Sequence, residues 1–211
     1  MQLYFTRHGK TQWNLEGRFQ GREGDSPLLE ESYAEIALLG EYLKDVPFAA
    51  IYTSSAKRAV RTAETLAQQL NEKVPIYALD ELREFGFGQL EGRKFVEVNQ
   101  EFPKSARMRD RLDLYDPTPF DGEKPGQMLR RIEEVVTAAC QRHFDEGPVL
   151  FVGHGAAFSA SIPWLMGKPL AKLRETGGLK NSSLTILETE DAILPYKLSV
   201  WNDTHFLEKN S

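Results

Sequence analysis

Four histidines occur in this 211-residue chain, and two of them end apolar runs of strand length in the same way. Leu3-Tyr4-Phe5-Thr6 leads into Arg7-His8-Gly9, and Val149-Leu150-Phe151-Val152 leads into Gly153-His154-Gly155. Such runs read as buried parallel strands, and ligands in open α/β sheets bind beyond the carboxyl ends of those strands. A neutral imidazole there is a competent nucleophile that splits one hard displacement into two easier ones. Arg7 stands beside one imidazole, and Arg58 follows the end of another strand-like run. Arginines keep their charge at ordinary pH and grip phosphate oxygens in forked geometry. The second histidine could neutralise the transferring oxygens, and an acid from the Glu81–Glu91 loop could protonate a leaving alcohol. The set fits phosphoryl transfer through phosphohistidine. Glu81, Glu84 and Glu91 all compete for the acid, and spacing does not rank them.

Other chemistries are poorly represented. A zinc site would need three ligands and commonly shows a pair such as His-Glu-x-x-His, which is absent. There is no Gly-x-Ser-x-Gly, no Walker A run and no dinucleotide Gly-x-Gly-x-x-Gly. His143 falls late in a helical pattern and reads as a C-terminal capping or surface residue. His205 lies in a polar tail without a signal of its own.

The elements that must position these groups alternate between strand and helix. A strand over about Leu3–Thr6 delivers Arg7 and His8, and Gly9 permits a tight turn. The polar, glycine-rich loop from Lys10 to Ser26 suits an anion, with Trp13, Leu15 and Phe19 expected to pin it to the body. Pro27 is placed to open a helix reaching about Asp45, with Tyr33, Ile36, Ala37, Leu39 and Leu43 as its inward stripe. A strand over Phe48–Thr53 precedes a helix over Ala56–Asn71. Arg58 near that helix start is unfavourable for the macrodipole unless an anion is held there too, whereas Arg61 is expected on the surface. A short strand over Val74–Leu79 leads into the acidic, glycine-punctuated loop. Residues of about 93–126, broken by Pro103, Pro117, Pro119 and Pro125, read as an inserted cap with a short helix around Val96–Phe102. Its cluster Lys104, Arg107, Arg109 and Arg111 suits either a solvated face or the grip on an acidic substrate. A long amphipathic helix over Gln127–Phe144 carries arginines on its outer face, and an apolar helix over Ala156–Met166 is expected to be interrupted by Pro163. Two β-rich runs, Ser183–Glu188 and Tyr196–Trp201, form a pair at one edge of the sheet. The expected fold is α/β: a three-layer sandwich with a mostly parallel central sheet flanked by helices, one domain over 1–211 with a small cap.

Composition bounds the partners. With 41% hydrophobic and 27% charged residues the chain can bury a sizeable core. A net charge of −5 argues against nucleic acid or an anionic membrane as the main partner, so any phosphate-binding charge is local. The single cysteine, Cys140, excludes an intrachain disulfide framework and reads as a buried structural thiol. The first strand begins almost at Met1, so no signal peptide is expected, no run approaches membrane-spanning length, and a cytoplasmic location is the expectation.

Thr6-Arg7-His8-Gly9-Lys10-Thr11-Gln12-Trp13-Asn14 resembles the Arg-His-Gly-x-Thr-x-x-Asn signature of the histidine phosphatase superfamily, in its phosphoglycerate-mutase-like branch. The likeness continues through Gln20-Gly21, Asp25-Ser26-Pro27-Leu28, Tyr52 to Glu64, Leu82 to Gly88 and Val152 to Gly155, in the family's order. The resemblance implies that His8 becomes phosphorylated. Arg7, Arg58 and His154 would form the phosphate pocket, and Glu84 would be proton donor and base. Asn14 and the backbone around Gln20, Gly21 and Gly155 would complete the contacts. These roles require a neutral His8 and a Glu84 of elevated pKa. The chain departs from the family pattern at Leu29, where a capping Thr or Ser is common, and at Gly122-Glu123-Lys124, where Gly-Glu-Ser is common.

The leading expectation is a phosphomonoester hydrolase of small phosphorylated metabolites. The alternative is a phosphoglycerate mutase primed by 2,3-bisphosphoglycerate, and a catalytically silent phospholigand-binding module is third. The mutases generally carry a longer insert with Arg-Arg-Ser-Tyr-Asp; here the cap has the shorter Met108-Arg109-Asp110-Arg111-Leu112-Asp113. No metal is needed in any of the enzyme readings, no cofactor is expected for the hydrolase, and oligomeric state is left open.

Overall fold

Alternate side chains along each central strand enter different cores, and this sets the layering. In the computed structural model, which describes residues 1–210, the chain runs β1 (Gln2–Arg7), α1 (Gln12–Glu16), α2 (Glu30–Tyr42), β2 (Ala50–Ser54), α3 (Lys57–Ala67), β3 (Ile76–Leu79), α4 (Phe95–Glu101), α5 (Pro125–Arg142), β4 (Val149–Gly153), α6 (Gly155–Leu165), β5 (Leu184–Glu188) and β6 (Lys197–Asp203). Leu3 and Phe5 of β1 join Phe151 of β4 in one core, closed by Met128, Ile132 and Val136 of α5 and Phe158 and Ile162 of α6. Tyr4, Leu150 and Val152 face the opposite way, onto Ile36 and Leu39 of α2 and Ala59, Ala63 and Leu66 of α3. Period-two strands buried on both faces give helix, sheet, helix.

The sheet order is β3-β2-β4-β1-β5-β6. The first four strands are parallel, and β5 and β6 add antiparallel at one edge. After β1 the chain leaves towards α2 on one face, whereas after β4 it enters α6 on the other. A crevice opens where neighbouring strand ends diverge in this way.

Residues 93–126 contain α4 and short 3-10 turns, and Val98, Met108, Leu112, Tyr115 and Phe120 pack into the same core as Phe85, Phe87 and Leu90. The cap therefore rests on the wall of the crevice.

Several boundaries differ from expectation for local reasons. The second helix starts at Glu30, because Leu28 bridges Thr11 and the Pro27 carbonyl accepts from Gln12 N at 3.0 Å, which keeps that stretch extended. Leu29 takes the N-cap position with no side-chain hydrogen bond. Tyr33 is exposed and drops out of the stripe. In the polar loop Phe19 is the anchor, edge-on to Phe87 and Phe95, whereas Leu15 is 60% exposed. Pro163 lies inside α6 without ending it. The described residues contain no helix long and apolar enough to cross a membrane.

Candidate active site

Parallel pairing of β1 with β4 sets Arg7 opposite Gly153, and His8 N donates to the Gly153 carbonyl at 2.9 Å. The residue after each strand is a histidine, so both imidazoles meet at the same sheet edge. Their ring centroids are 5.2 Å apart, and both residues are buried. His8 Nδ1 lies 2.7 Å from the Gly9 carbonyl, an atom that can only accept. Nδ1 therefore carries the proton and Nε2 the lone pair. Burial foremost, then the charges of Arg58 and Arg7, hold the His8 pKa well below the ordinary value, so the ring is neutral. His154 is held low by burial and by Arg58 as well. Its Nε2 lies 2.7 Å from Ser54 Oγ at the end of β2, and its Nδ1 is buried with no protein partner.

The two predicted arginines sit differently. Arg7 donates through Nη1 to the Leu179 carbonyl at 2.7 Å, leaving a buried Nε without a partner. A Cβ at Gly155 would fall 2.9 Å from that Nε, so only glycine lets the guanidinium cross the start of α6. Arg58 is 1% exposed and engages the 20–25 loop with both terminal nitrogens, reaching the Gly24 and Gly21 carbonyls and Asp25 Oδ1 at 2.8, 3.0 and 2.9 Å. Its Nε also lacks a partner. Arg61, in contrast, is an exposed partner of Glu64. Three buried nitrogens without protein acceptors, on Arg7, Arg58 and His154, thus accompany the His8 ring.

Glu84 separates from its rivals through burial. Its Oε1 accepts from Phe85 N and Ala157 N at 3.0 and 2.6 Å, and its Oε2 from Ala156 N at 2.8 Å. It occupies the N-terminus of α6, where His154 supplies no side-chain cap. Burial raises its pKa above the ordinary carboxyl value, outweighing the backbone donors and Arg58, which lower it. Glu81 is exposed. Glu91 braces the loop by accepting from Gly21 N, Gly24 N and Phe87 N.

A cavity of about 330 Å³ contains Arg7, His8, Asn14, Gln20, Glu84 and Gly155 in its lining. Asn14 Oδ1 accepts from Thr11 N at 3.1 Å, the reciprocal half of the capping box on α1. Gln20 is held by Thr11 Oγ1 and Ser26 Oγ. Gly21 does not line the cavity: its N–H is taken by Glu91 and its carbonyl by Arg58, so it braces the loop. Arg58 and His154 are not part of the lining itself; His154 packs edge-on against His8, and Arg58 holds the adjoining 20–25 loop.

Several contributors escape sequence reading. Arg131, expected on the outer face of its helix, turns inward to pair with Glu123 through Nε and Nη2 at 2.8 Å, and donates to the carbonyls of Glu81, Arg83 and Glu84. Glu123 Oε2 also accepts from Gly86 N, so the pair clamps the Glu84 loop. Lys124 is exposed and does not line the cavity. Arg174 enters the cavity wall from a segment without a motif, and the Gly177–Leu179 stretch follows it there. Within the basic cluster, only Arg109 reaches the cavity. His143 is a buried C-cap whose Nε2 pairs with Tyr52 OH at 3.0 Å, so it is not at the surface.

Residues 3–204 match the family model described as the histidine phosphatase superfamily (branch 1). The chain belongs to that superfamily. Superfamily relatives include fructose-2,6-bisphosphatase TIGAR B of Danio rerio, 34% identical over 75% of this chain, which spans 58% of that protein. Probable phosphoglycerate mutase GpmB of Cronobacter sakazakii is 32% identical, covering 95% of this chain and 90% of its own. Among solved structures, Bacillus stearothermophilus YhfR superposes with a TM-score of 0.86 at 34% identity, covering 96% of both chains. A mycobacterial glucosyl-3-phosphoglycerate phosphatase, solved with VO3, superposes at 0.82 with 27% identity, over 95% of this chain and 98% of that one. Membership and these phosphatase relatives make the protein an enzyme.

Proposed function

We propose that this enzyme hydrolyses phosphomonoesters of small metabolites by passing the phosphoryl group through His8 Nε2. The observation that carries the reading is the His8 ring itself: neutral, its proton tied to the Gly9 carbonyl, its lone pair left free at the cavity. In the first half-reaction Nε2 forms the N–P bond while the ester P–O bond breaks, and the Glu84 carboxyl protonates the departing oxygen. In the second half-reaction Glu84 takes a proton from water, whose oxygen attacks phosphorus, releasing phosphate and restoring His8. Arg7 Nε, Arg58 Nε and His154 Nδ1 supply donors to the phosphoryl oxygens where charge accumulates. Asn14 and Gly155, at the wall, orient the ester.

The likeness to GpmB proteins supports a second reading, a mutase that returns the phosphoryl group to another hydroxyl in place of water. A screen of phosphorylated metabolites run beside a mutase assay primed with 2,3-bisphosphoglycerate decides between them. Hydrolysis that His8→Ala abolishes is the expected result. Primed interconversion of phosphoglycerates well above hydrolysis would replace this reading with the mutase.

A further inference from the structure

The phosphoryl chemistry leaves one buried charge of the cavity unused. Arg174 is 8% exposed and lies in the wall shared with His8 and Glu84. Its Nε donates to the Met108 carbonyl at 2.8 Å, and its Nη1 to the Ala156 carbonyl at 2.9 Å and to Ser159 Oγ. All three acceptors are neutral, and Nη2 is buried without any protein partner. Desolvation brings the Arg174 pKa down only to about 10, so the group stays cationic at neutral pH. A buried guanidinium without a counter-ion is strongly disfavoured unless an anion completes it. Glu84 is the acid whose field reaches it, but both Glu84 oxygens are held by backbone N–H groups, and Glu84 is neutral when it serves as proton donor. The ester that binds must then supply the missing charge.

The mouth of the cavity repeats the pattern. In the cap, Arg107 pairs with Asp110 and Arg111 with Asp113, both away from the cavity. Arg109, the one of the three that lines it, lies 4.4 Å over the Phe95 ring and has no carboxylate partner among the described residues. Among these cap arginines the one without a carboxylate partner is the one that lines the cavity.

We propose that Arg174, with Arg109 at the entrance, forms a second anion subsite, so that the favoured substrates are small phosphomonoesters bearing a further acidic group, carboxylate or phosphate. This rests on the reading that His8 takes the phosphoryl group, and it adds what the leaving portion must carry. The shared chemistry is an oxyanion presented to a guanidinium fork.

The test compares kcat/KM for 3-phosphoglycerate and glycerol 3-phosphate, which differ by a carboxylate in place of a hydroxymethyl group. A second arm compares fructose 1,6-bisphosphate with fructose 6-phosphate, where the added group is a phosphate. Wild type is expected to favour the more acidic member of at least one pair by about tenfold or more, the ratio of one charge-assisted hydrogen bond. The arm with the larger ratio identifies the anion. Arg174→Gln should bring that ratio to about one whatever rate loss the two members share, Arg174→Lys should keep part of it, and Arg109→Gln should lower it partway. A ratio near one in both arms for wild type overturns the subsite, as does a ratio that Arg174→Gln leaves unchanged. Hydrolysis of p-nitrophenyl phosphate by wild type, lost in His8→Ala, shows the phosphatase reading standing even where the subsite falls. A wild type inert on every ester defeats both.

Discussion

His8 and His154 face each other at 5.2 Å between ring centroids because Arg7 is paired with Gly153 across the parallel β1–β4 ladder. Adjacent strands in one sheet lie about 4.8 Å apart, so two residues that immediately follow paired positions start at nearly that spacing. The backbone bond from His8 N to the Gly153 carbonyl extends the ladder one step further and fixes the first ring relative to the second strand.

Without an imidazole at position 8 no phosphoenzyme should form. In His8→Ala, acid-sensitive and base-stable label from a phosphorylated substrate is expected to be absent after rapid quench, and kcat to fall roughly a thousandfold or more. Retained label would move the nucleophile elsewhere.

Glu84→Gln should slow alkyl phosphates by about 10²–10⁴-fold while affecting activated aryl esters far less, because only a poor leaving group needs the proton. The same variant should lose the alkaline limb of the pH–rate profile. That limb arises when Glu84, its pKa raised by burial, gives up its proton. Equal slowing of both ester types would remove Glu84 from the donor role.

Ser54 Oγ accepts from Ala56 N at 3.2 Å and lies 2.7 Å from His154 Nε2, to which its own hydrogen is free to turn. With Ser54 as donor to Nε2, the His154 proton sits on Nδ1, the buried nitrogen without a protein partner that the proposed mechanism uses as a donor. Ser54→Ala should therefore lower kcat by about tenfold, the worth of one buried hydrogen bond, and change the His154 ring-nitrogen chemical shifts. Unchanged shifts would show that the serine does not select the tautomer.

The Arg131–Glu123 clamp is mostly buried, with 12% of each side chain exposed, and it holds three carbonyls of the 81–84 stretch. Arg131→Met leaves Glu123 as an unpaired, largely buried carboxylate and should cost about 2–4 kcal/mol in urea unfolding. A loss under 0.5 kcal/mol would mean the clamp is replaced by water at little cost.

Stability should fall as pH drops below neutrality. His8 and His154 have native pKa values below the unfolded value of 6.5, so the unfolded chain binds protons that the native state refuses. Their contribution is complete above 6.5 and is lost as pH falls from there towards the native values. Glu84 acts with opposite sign: its native pKa is raised, so its contribution is complete below 4.5 and fades as pH rises through the native value. Urea midpoints between pH 7 and 5 should decline in wild type and decline less in His154→Gln.

Much was legible in the chain because it is local. Apolar runs of strand length, the His-Gly breaks and the helical stripes are short-range patterns, and they specify a layered sheet whose strand ends carry His8 and His154. The position of Glu84 relative to Glu81 and Glu91 was not legible from spacing. One loop carries all three, and burial on the α6 N-terminus alone separates them. Arg131 reads as one more exposed helix arginine until Glu123 arrives from the cap. Arg174 sits in no motif at all, since its setting is assembled from Met108, Ala156 and Ser159. Sequence by itself determined which elements form and which two strands end in imidazole. The tertiary structure decided which charges are buried, because desolvation and the partners that relieve it come from residues far apart in the chain.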